Sequence, residues 1–595
     1  MINKNKFIHA LVLATLILFT SCVEEILDKK DLDSLDEVAF FDAPEEFEQA
    51  ANLLYNGIND VRTDRAYAMD HGSDLHAFAN ADTYGQGIVP IPLADNAYWQ
   101  GSYAFIRDAN ILLEKADEYP GDPAEIEEYI AAAYFFRAFE YSVLLQRYGG
   151  VPIITRVLDL SSQEVTAPRN SRYEVVDQIL ADLDLAIAGL PSEAVIPDAN
   201  KGRISVQAAK AFKAWILLYE ATWEKYVGTT TDGDGTTEGA GSAGAADNFS
   251  AYLTEAIALN REVIDSGIFE LWNYNSDPAM NNRSNYYLFN LEGPDSNPLG
   301  LDKSSNKEFI FYTVFDQLLG NSAISQNAVG RLGPNRKMMD LFLSTDGLPI
   351  DQSPLFGGYD EPDDEYANRD YRLESYFRRA QTNEIPVFGQ IQLTGITSTG
   401  SGSGSTNLKF VSNGYPYNTQ ETSNGANWPI IRLATVYLNL AESIYELNGS
   451  ITDTELNETI NLTKARAGLP ALTNAFATTN GMDVLEEIRR ERTIELFGEN
   501  SRFHDLKRWG IAEQELNQSI LGPVIEGTSF ENDFSVYNPS AYPEGEETID
   551  TGVGPRRAVV LSAASGRNFI RDYYLWPIPT NQLQLNTNLV QNAGY

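Results

Sequence analysis

Most of the chain places apolar residues three and four positions apart, the spacing of helices that bury one face. The longest run covers residues 126–145 and ends at Tyr148-Gly149-Gly150-Val151-Pro152, where glycine and proline stop a helix. Ser205 is expected to cap a later helix, because its hydroxyl can accept a free backbone N–H. Strand patterns are scarce, so the sequence predicts a mainly α fold.

The same helical spacing returns in the last third of the chain. Pro429 is expected in the first turn of a helix that Gly449 ends. A second helix is predicted at 456–465 and a third from Val484 to Phe497. Helix pairs of this length are typical of tetratricopeptide-like hairpins, which stack so that each covers its neighbour's apolar face.

Irregular stretches interrupt the helices, and we expect them to form large loop excursions. They are rich in glycine, asparagine and proline and cover residues 70–97, 228–247, 270–335 and 386–428. Asp232-Gly233-Asp234-Gly235 is similar to the start of a calcium loop but lacks the glutamate at the twelfth position. The sequence therefore predicts no cofactor, and a structural calcium is the one alternative left open.

The amino terminus has the pattern of a secretory signal. Lys4 and Lys6 precede an apolar run from Ala10 to Phe19, which is too short to span a bilayer. The run leads to Cys22, the only cysteine of the chain, in a window that resembles a bacterial lipobox. The prediction is a signal peptide at 1–21, a lipidated Cys22 opening an acidic tether at 22–40, and a body at 41–595.

Composition narrows the choice of partners. The chain has 595 residues, 43% of them hydrophobic, and a formal net charge of −41. A body this acidic repels nucleic acid and anionic membranes, so we expect no nucleic-acid partner and a membrane attachment through lipid. The charge also favours neutral or cationic ligands over anionic ones.

Motifs that carry catalysis are weak or absent. The GxGxxG match at Gly239–Gly244 follows no predicted strand and opens no helix, and HExxH, GxSxG and GxxxxGK do not occur. His71 and His76 lack a third zinc ligand at a useful spacing, so no metal site is predicted. A glycosidase needs only two carboxylates, and 84 acidic residues leave that alternative open without indicating a pair.

Charged and apolar residues alternate most densely at 486–510, in EEIRRERTIELFGENSRFHDLKRWG. Glu491, Glu495, His504 and Asp505 could form a catalytic set. The interpretation we favour is a buried ion-pair network, because arginines at these spacings can pair with the carboxylates. The sequence thus predicts no catalytic residue.

Several segments together resemble one family. They are ERTIELFGENSRFHDLKRWG (491–510), IIRLATVYLNLAESIYELNG (430–449), AAYFFRAFEYSVLLQRYGGVPII (132–154) and the carboxy end from Leu575-Trp576-Pro577 to Gly594-Tyr595. They resemble the SusD/RagB family of Bacteroidetes outer-membrane lipoproteins. Ala593 stands where that family usually has proline.

The resemblance implies a SusD-like scaffold of four tetratricopeptide-like hairpins, with the body divided into parts at 41–225, 226–428 and 429–595. It implies a lipid-anchored binding protein on the cell exterior, not an enzyme. Such a protein lies over a SusC-type TonB-dependent outer-membrane transporter and delivers oligosaccharides to it. Val23-Glu24-Glu25 is similar to the signal that sends such lipoproteins to the cell surface.

Sugar rings stack on aromatic side chains while polar groups bond their hydroxyls. Aromatic residues in irregular stretches are therefore the candidate ligand-binding residues: Trp272, Tyr274, Tyr286, Tyr287, Trp428 and Tyr84, with His71, Asp74 and Asn80 as polar partners. Trp99, Trp215 and Trp509 are expected in the core. Two alternatives remain open at this point, a binder of peptides or other nutrients and a glycoside hydrolase.

Overall fold

The computed structural model describes residues 41–58, 70, 72–76, 84–228, 248–316, 333–378, 382–385, 389–392, 404–410, 425–529, 531–532, 540 and 544–595. The predicted signal peptide, the tether and the calcium-like segment at 232–235 lie outside these residues. In this part of the chain, no helix is both long and apolar enough to cross a membrane.

Six long helices form the first half of the fold: α1 Pro44–Leu54, α2 Gly101–Asp117, α3 Glu127–Tyr148, α4 Arg172–Gly189, α5 Val206–Tyr226 and α6 Phe249–Asp265. Gly149 ends α3 with a φ of +77°, and the Ser205 hydroxyl accepts the Ala208 N–H at the start of α5, as predicted. Neighbouring helices pack on one another, α3 against α2 and α4, and α5 against α6. This stack of helix pairs is the tetratricopeptide-like arrangement that the spacing predicts.

The middle of the chain contains short elements: α7 Ser284–Phe289, β1 Phe309–Thr313, α8 Arg336–Leu341, α9 Pro362–Tyr366, α10 Tyr371–Tyr376, β2 Phe377–Arg378, β3 Thr382–Ile385, β4 Gly389–Gln392 and β5 Thr406–Asn407. β2 pairs with β5 and β3 with β4, both antiparallel. The region is thus a set of short helices and two-stranded ribbons rather than plain loop.

The last third returns to helices and ends in a small sheet: β6 Trp428–Arg432, α11 Leu433–Asn448, α12 Asp453–Asn457, α13 Ile460–Arg466, α14 Asn474–Thr479, α15 Val484–Glu495, α16 Arg502–Arg508, α17 Ala512–Leu516, β7 Ile520–Val524, β8 Glu546–Ile549, β9 Arg556–Ser562 and α18 Thr580–Leu585. The order in the sheet is β7-β9-β8. Gly449 ends α11 in the left-handed conformation, as predicted.

The prediction for Pro429 is wrong. Pro429 lies in β6, which pairs antiparallel with β1 and places Pro429 opposite Tyr312. A two-stranded sheet leaves one side of each strand without a partner, so a residue that lacks a backbone N–H is tolerated there. The helix begins at Leu433, once the chain has left β6.

The largest hydrophobic cluster joins residues from all three predicted parts of the body. It runs from Phe47 in α1 through α3 and α5 to Ile431 in β6 and Ile578 near the carboxy end. A second cluster, built on aromatic residues, lies under the short middle elements. The three parts are therefore packed against one another around a shared core, and the boundaries at 225 and 428 stay a prediction.

Candidate ligand-binding cleft

An open cleft of about 570 Å³ lies between the turn at 193–201, which follows α4, and the segment 303–314, which contains β1. We call it the loop cleft. Its lining is aliphatic, aromatic, amide and amino in character: Glu193, Ala194, Ile196, Asp198, Ala199, Lys201, Ile268, Phe269, Lys303, Ser304, Asn306, Lys307, Phe309, Tyr312, Val314 and Asn427. The volume is within the range of ordinary small-ligand sites.

Aromatic rings form part of the wall. Tyr312 is half-buried and packs at the edge of the second cluster, with its ring centroid 6.0 Å from that of Phe309. Burial raises the pKa of the Tyr312 phenol, and the Glu193 carboxylate adds to the shift. The hydroxyl therefore stays protonated at neutral pH and can donate a hydrogen bond to a ligand.

Two asparagines present oriented amide groups to the cleft. The Asn306 Oδ1 accepts the backbone N–H of Glu308 at 3.0 Å, and the Asn427 Oδ1 accepts that of Phe315 at 3.2 Å. Neither Nδ2 has a hydrogen-bond partner in the part of the chain that the structure describes. Each amide is thus fixed by its oxygen and keeps two N–H donors for a ligand.

Three lysines line the cleft in different states. Lys303 Nζ donates to the carbonyls of Phe315 and Gly425, and burial lowers its pKa. Lys201 Nζ forms an ion pair with Glu193 at 2.9 Å. Lys307 is exposed and has no ion-pair partner among the described residues. Lys303 therefore holds the walls together, and Lys307 is the cation that a ligand can reach.

A glycine allows the two walls to meet. Gly202 has a φ of +99°, a conformation that side chains other than glycine rarely adopt. A Cβ at this position would collide with Cγ2 of Val314, which lines the cleft. The close approach of this turn to the end of β1 thus depends on the missing side chain.

The aromatic residues predicted from the sequence lie beneath this region rather than on its surface. Trp272, Tyr286, Tyr287 and Trp428 are buried in the second cluster, and Tyr274 is half-buried beside them. They pack with one another and with their neighbours because α7 and β6 fold into the core. Because these side chains are buried or half-buried, they do not form a solvent-facing stacking platform, and their part in ligand binding stays a prediction.

These side chains nevertheless support the cleft. The Trp272 Nε1–H donates to Ser305 Oγ at 3.1 Å, beside the lining residues Ser304 and Asn306. Trp428 stacks on Phe410 with a centroid separation of 3.9 Å and follows Asn427 directly. Trp272 and Trp428 thus lie beside the loop cleft without lining it, and their part in ligand binding stays a prediction.

The other predicted residues lie elsewhere. Tyr84 is buried in a third cluster, where its hydroxyl donates to the carbonyl of Tyr573 at 2.9 Å. Asp74 is buried and paired with Arg502 and Lys337, whose charges hold its pKa far below the usual range although burial acts to raise it. His71 and Asn80 lie outside the described residues.

The charged motif near the carboxy end forms an ion-pair network, as the sequence analysis favoured. Glu495 accepts hydrogen bonds from Arg372 and Arg432, both at 2.7 Å, and from Arg466. We call this group the Glu495 cluster; its further members are Glu308, Asp370, Lys409, Glu491 and Glu499. The side chain of every member is buried, so the arrangement is a structural core of charges.

The remaining residues of the rejected catalytic set have separate surroundings. Asp505 pairs with Arg492 and with Arg508, each at 2.8 Å. His504 is buried, and its Nδ1 has no hydrogen-bond partner among the described residues. Within the same residues, no group of three histidine, cysteine or acidic side chains is placed to hold a metal ion.

The sequence analysis did not single out Tyr312, Asn306, Asn427 or Lys307, although all four lie in the irregular stretches 270–335 and 386–428. One signal was available: the polar run Lys303-Ser304-Ser305-Asn306-Lys307 directly precedes the apolar FIFYT of β1. A polar segment leading into a buried strand is a common way to present side chains at the edge of a core.

Trp215, expected in the core, is only half-buried, whereas Trp99 and Trp509 are buried as expected.

Comparisons with known proteins agree with this architecture. The family model described as "SusD family" matches residues 271–595, and the one described as "Starch-binding associating with outer membrane" matches residues 25–218. SusD-like protein P38 of Formosa agariphila is 23% identical over 536 residues, covering 88% of this chain and 93% of that protein. A SusD-like protein of Bacteroides ovatus is 26% identical over 231 residues, 38% of this chain and 41% of its own length.

Solved structures share the fold. A SusD-like carbohydrate-binding protein from Bacteroides fragilis has a TM-score of 0.69 and 22% identity, covering 92% of this chain and 99% of its own. A laminarin-binding SusD-like protein has a TM-score of 0.55 and 21% identity, covering 93% and 99%. Since the first family model spans more than half of the sequence, the chain belongs to the SusD family, also known as SusD/RagB.

Proposed function

We propose that this protein binds a glycan at the loop cleft, at the outer membrane, and delivers it to a SusC-type TonB-dependent transporter without cleaving it. The observation that carries the binding step is the cleft itself. It combines an apolar ring face on Tyr312 with amide donors on Asn306 and Asn427. A sugar ring offers the matching pair of surfaces, an apolar face and a rim of hydroxyls.

Family and relatives support the ligand class. One family model that matches the chain is described as starch-binding, and one structural relative is described as laminarin-binding. The proposed ligand is a neutral glycan, because the chain is strongly acidic and only Lys307 offers the cleft an unpaired cation among the described residues. Lipid attachment through Cys22 and delivery to the transporter are parts of the same proposal.

Binding without hydrolysis is proposed because the carboxylates of the cleft are poorly placed for catalysis. Glu193 is paired with Lys201, and Asp198 is the one other carboxylate among the described residues that line the cleft. The buried carboxylates of the Glu495 cluster are neutralised by arginines.

The test is affinity electrophoresis of the chain from residue 23 onward in gels containing neutral and anionic polysaccharides. We expect one neutral glycan to retard the protein without releasing product over hours. Tyr312→Ala should weaken this binding by about tenfold, the loss of a stacking contact of roughly 1–1.5 kcal/mol.

Tyr445→Ala is the matched control, because Tyr445 is another half-buried tyrosine, on α11 in a different cluster. Retardation by no glycan would overturn the proposal and favour a peptide or another nutrient as ligand. Equal weakening by both tyrosine variants would reject the loop cleft as the site, and release of sugar would show a hydrolase.

A further inference from the structure

A second, smaller pocket lies among the helices beside β6. Its volume is about 140 Å³, and its walls come from α3, α5, β6, α11, α15 and the turn at 499–501 before α16. We call it the His504 pocket. An engineered cavity of about 150 Å³ admits benzene, so this space holds one six-membered ring.

One side of the pocket is apolar. Phe139 and Phe212 lie there with ring centroids 5.5 Å apart, and both side chains are buried. Trp215 is half-buried and Trp428 completes the aromatic wall. A flat ring entering the pocket would therefore meet aromatic faces, whose contact with apolar C–H surfaces is favourable.

The other side is polar and holds two groups without partners. His504 is 8% exposed, and its Nδ1 has no hydrogen-bond partner among the described residues. The Oδ1 of Asn500, on the adjoining turn, is also buried and has no partner in the part of the chain that the structure describes. An unpaired buried polar atom costs about 1–3 kcal/mol, so two of them lining one cavity mark a place that a ligand can complete.

The charges around the pocket are already satisfied. Arg492 donates to Asp505 at 2.8 Å and to Asn439 at 2.7 Å, and Glu499 is paired with Arg432 and Lys409. Burial and the nearby cations Lys507, Arg147 and Arg508 lower the pKa of His504 and keep it neutral. A neutral ligand therefore fits better than an ion.

We propose that the His504 pocket binds one neutral pyranose unit, independently of the loop cleft. The ring would lie against the aromatic wall, and its hydroxyls would bond His504 Nδ1 and the Asn500 side chain. Thr435 and Ser501 line the same pocket, and their hydroxyls have no hydrogen-bond partner within the described residues. The unit is either a free monosaccharide or the end residue of an oligosaccharide.

Binding is measured by tryptophan fluorescence and saturation-transfer NMR on the chain from residue 23 onward. The probes are glucose, galactose, mannose and xylose, glucuronate as a charged comparison, and oligosaccharides ending in the same sugars. We expect saturable binding of at least one neutral sugar and none of glucuronate. Stronger binding of the oligosaccharide than of its free end sugar would identify a chain end as the ligand, and equal binding a monosaccharide.

Asn500→Gly is the decisive variant. Asn500 has a φ of +61°, which glycine adopts without strain, and its backbone N–H to Asp70 Oδ2 is retained. We expect it to weaken sugar binding by about 3–10-fold, the value of one hydrogen bond. Asn282→Gly, at an exposed asparagine with a φ of +58°, is the control and should leave binding unchanged.

His504→Leu separates binding from stability. It removes an unpaired buried nitrogen at nearly constant volume, so the Tm should stay unchanged or rise while sugar binding is lost. A clear fall in Tm would show that Nδ1 has a structural role and would overturn the proposal. Absence of binding by every neutral sugar, or loss of pocket binding in Tyr312→Ala, would also overturn it, whereas glycan retardation at the loop cleft tests the proposed function separately.

Discussion

The Glu495 cluster and the loop cleft use the same residue types in opposite ways. In the cluster, Glu495 receives three arginines and is fully buried with them. In the cleft, Lys307 is exposed without an ion-pair partner among the described residues, and the asparagine amides keep free N–H donors. A charged group whose partners are complete specifies the fold, and one whose partners are incomplete is available to a ligand.

The difference also separates the energetic roles of the two regions. Removing one member of a buried network leaves its partners charged and desolvated, which is costly. Removing a half-paired side chain at a cleft leaves only water in its place. Substitutions should therefore affect stability in the first region and affinity in the second, and the following predictions test that separation, beginning with the largest effect.

Glu495→Gln should reduce the free energy of unfolding by about 3–5 kcal/mol, because Arg372, Arg432 and Arg466 would share one fewer negative charge in the interior. Urea denaturation followed by circular dichroism measures the change. Glu458→Gln is the control: its pair with Arg261 is exposed, at 3.6 Å, and should contribute less than about 1 kcal/mol. Equal losses in the two variants would contradict the contrast.

Acid should weaken the buried network through Glu442. Burial alone would raise the pKa of this carboxyl, but hydrogen bonds and charge from Arg508 lower it to about 2. A lowered pKa gives stability that is complete above the unfolded value of 4.5 and disappears as the pH falls towards 2.

The lowered pKa of Glu442 should contribute about 3 kcal/mol to the free energy of unfolding at pH 7. Wild type and Glu442→Gln should differ most at pH 7 and converge as the pH falls to about 2, as measured by urea midpoints across this range. A difference that stays constant with pH would show that the Glu442 charge is not the cause.

Gly202→Ala should cost about 1–3 kcal/mol and weaken glycan binding, because the new Cβ adds a collision with Val314 to an unfavourable φ. Gly300→Ala is the matched control. Gly300 has a φ of +67° and open space around it. Gly300→Ala therefore measures only the free-energy cost of placing a side chain on a backbone with positive φ. If the two variants lose equal stability and Gly202→Ala binds glycan normally, the close approach is irrelevant to the cleft.

Local signals made the helical scaffold predictable. The ends of α3 and α11 at Gly149 and Gly449 and the cap of α5 at Ser205 depend on residues within one turn of the chain. The presence of a buried ion-pair network was predictable, because arginines and carboxylates alternate at helical spacing in α15. Its partners from other segments, such as Arg372 and Arg432, were not.

The cleft could not be predicted because non-local pairing creates it. β6 exists only because β1 lies beside it, and this pairing brings Asn427 towards Tyr312 across more than a hundred residues of sequence. The burial of Tyr286 and Tyr287 has the same cause: α7 lacks a long periodic pattern and becomes core through contacts with distant segments. Aromatic residues in an irregular stretch were therefore taken for surface.

The two hydrogen bonds that Lys303 donates to the main chain bear on how this chain can evolve. Their two acceptors, at Phe315 and Gly425, are main-chain carbonyls, which every amino acid supplies. Substitutions at either position leave the acceptors in place. Lys303 can therefore keep these two points of the chain together through the main chain, whichever side chains stand at positions 315 and 425.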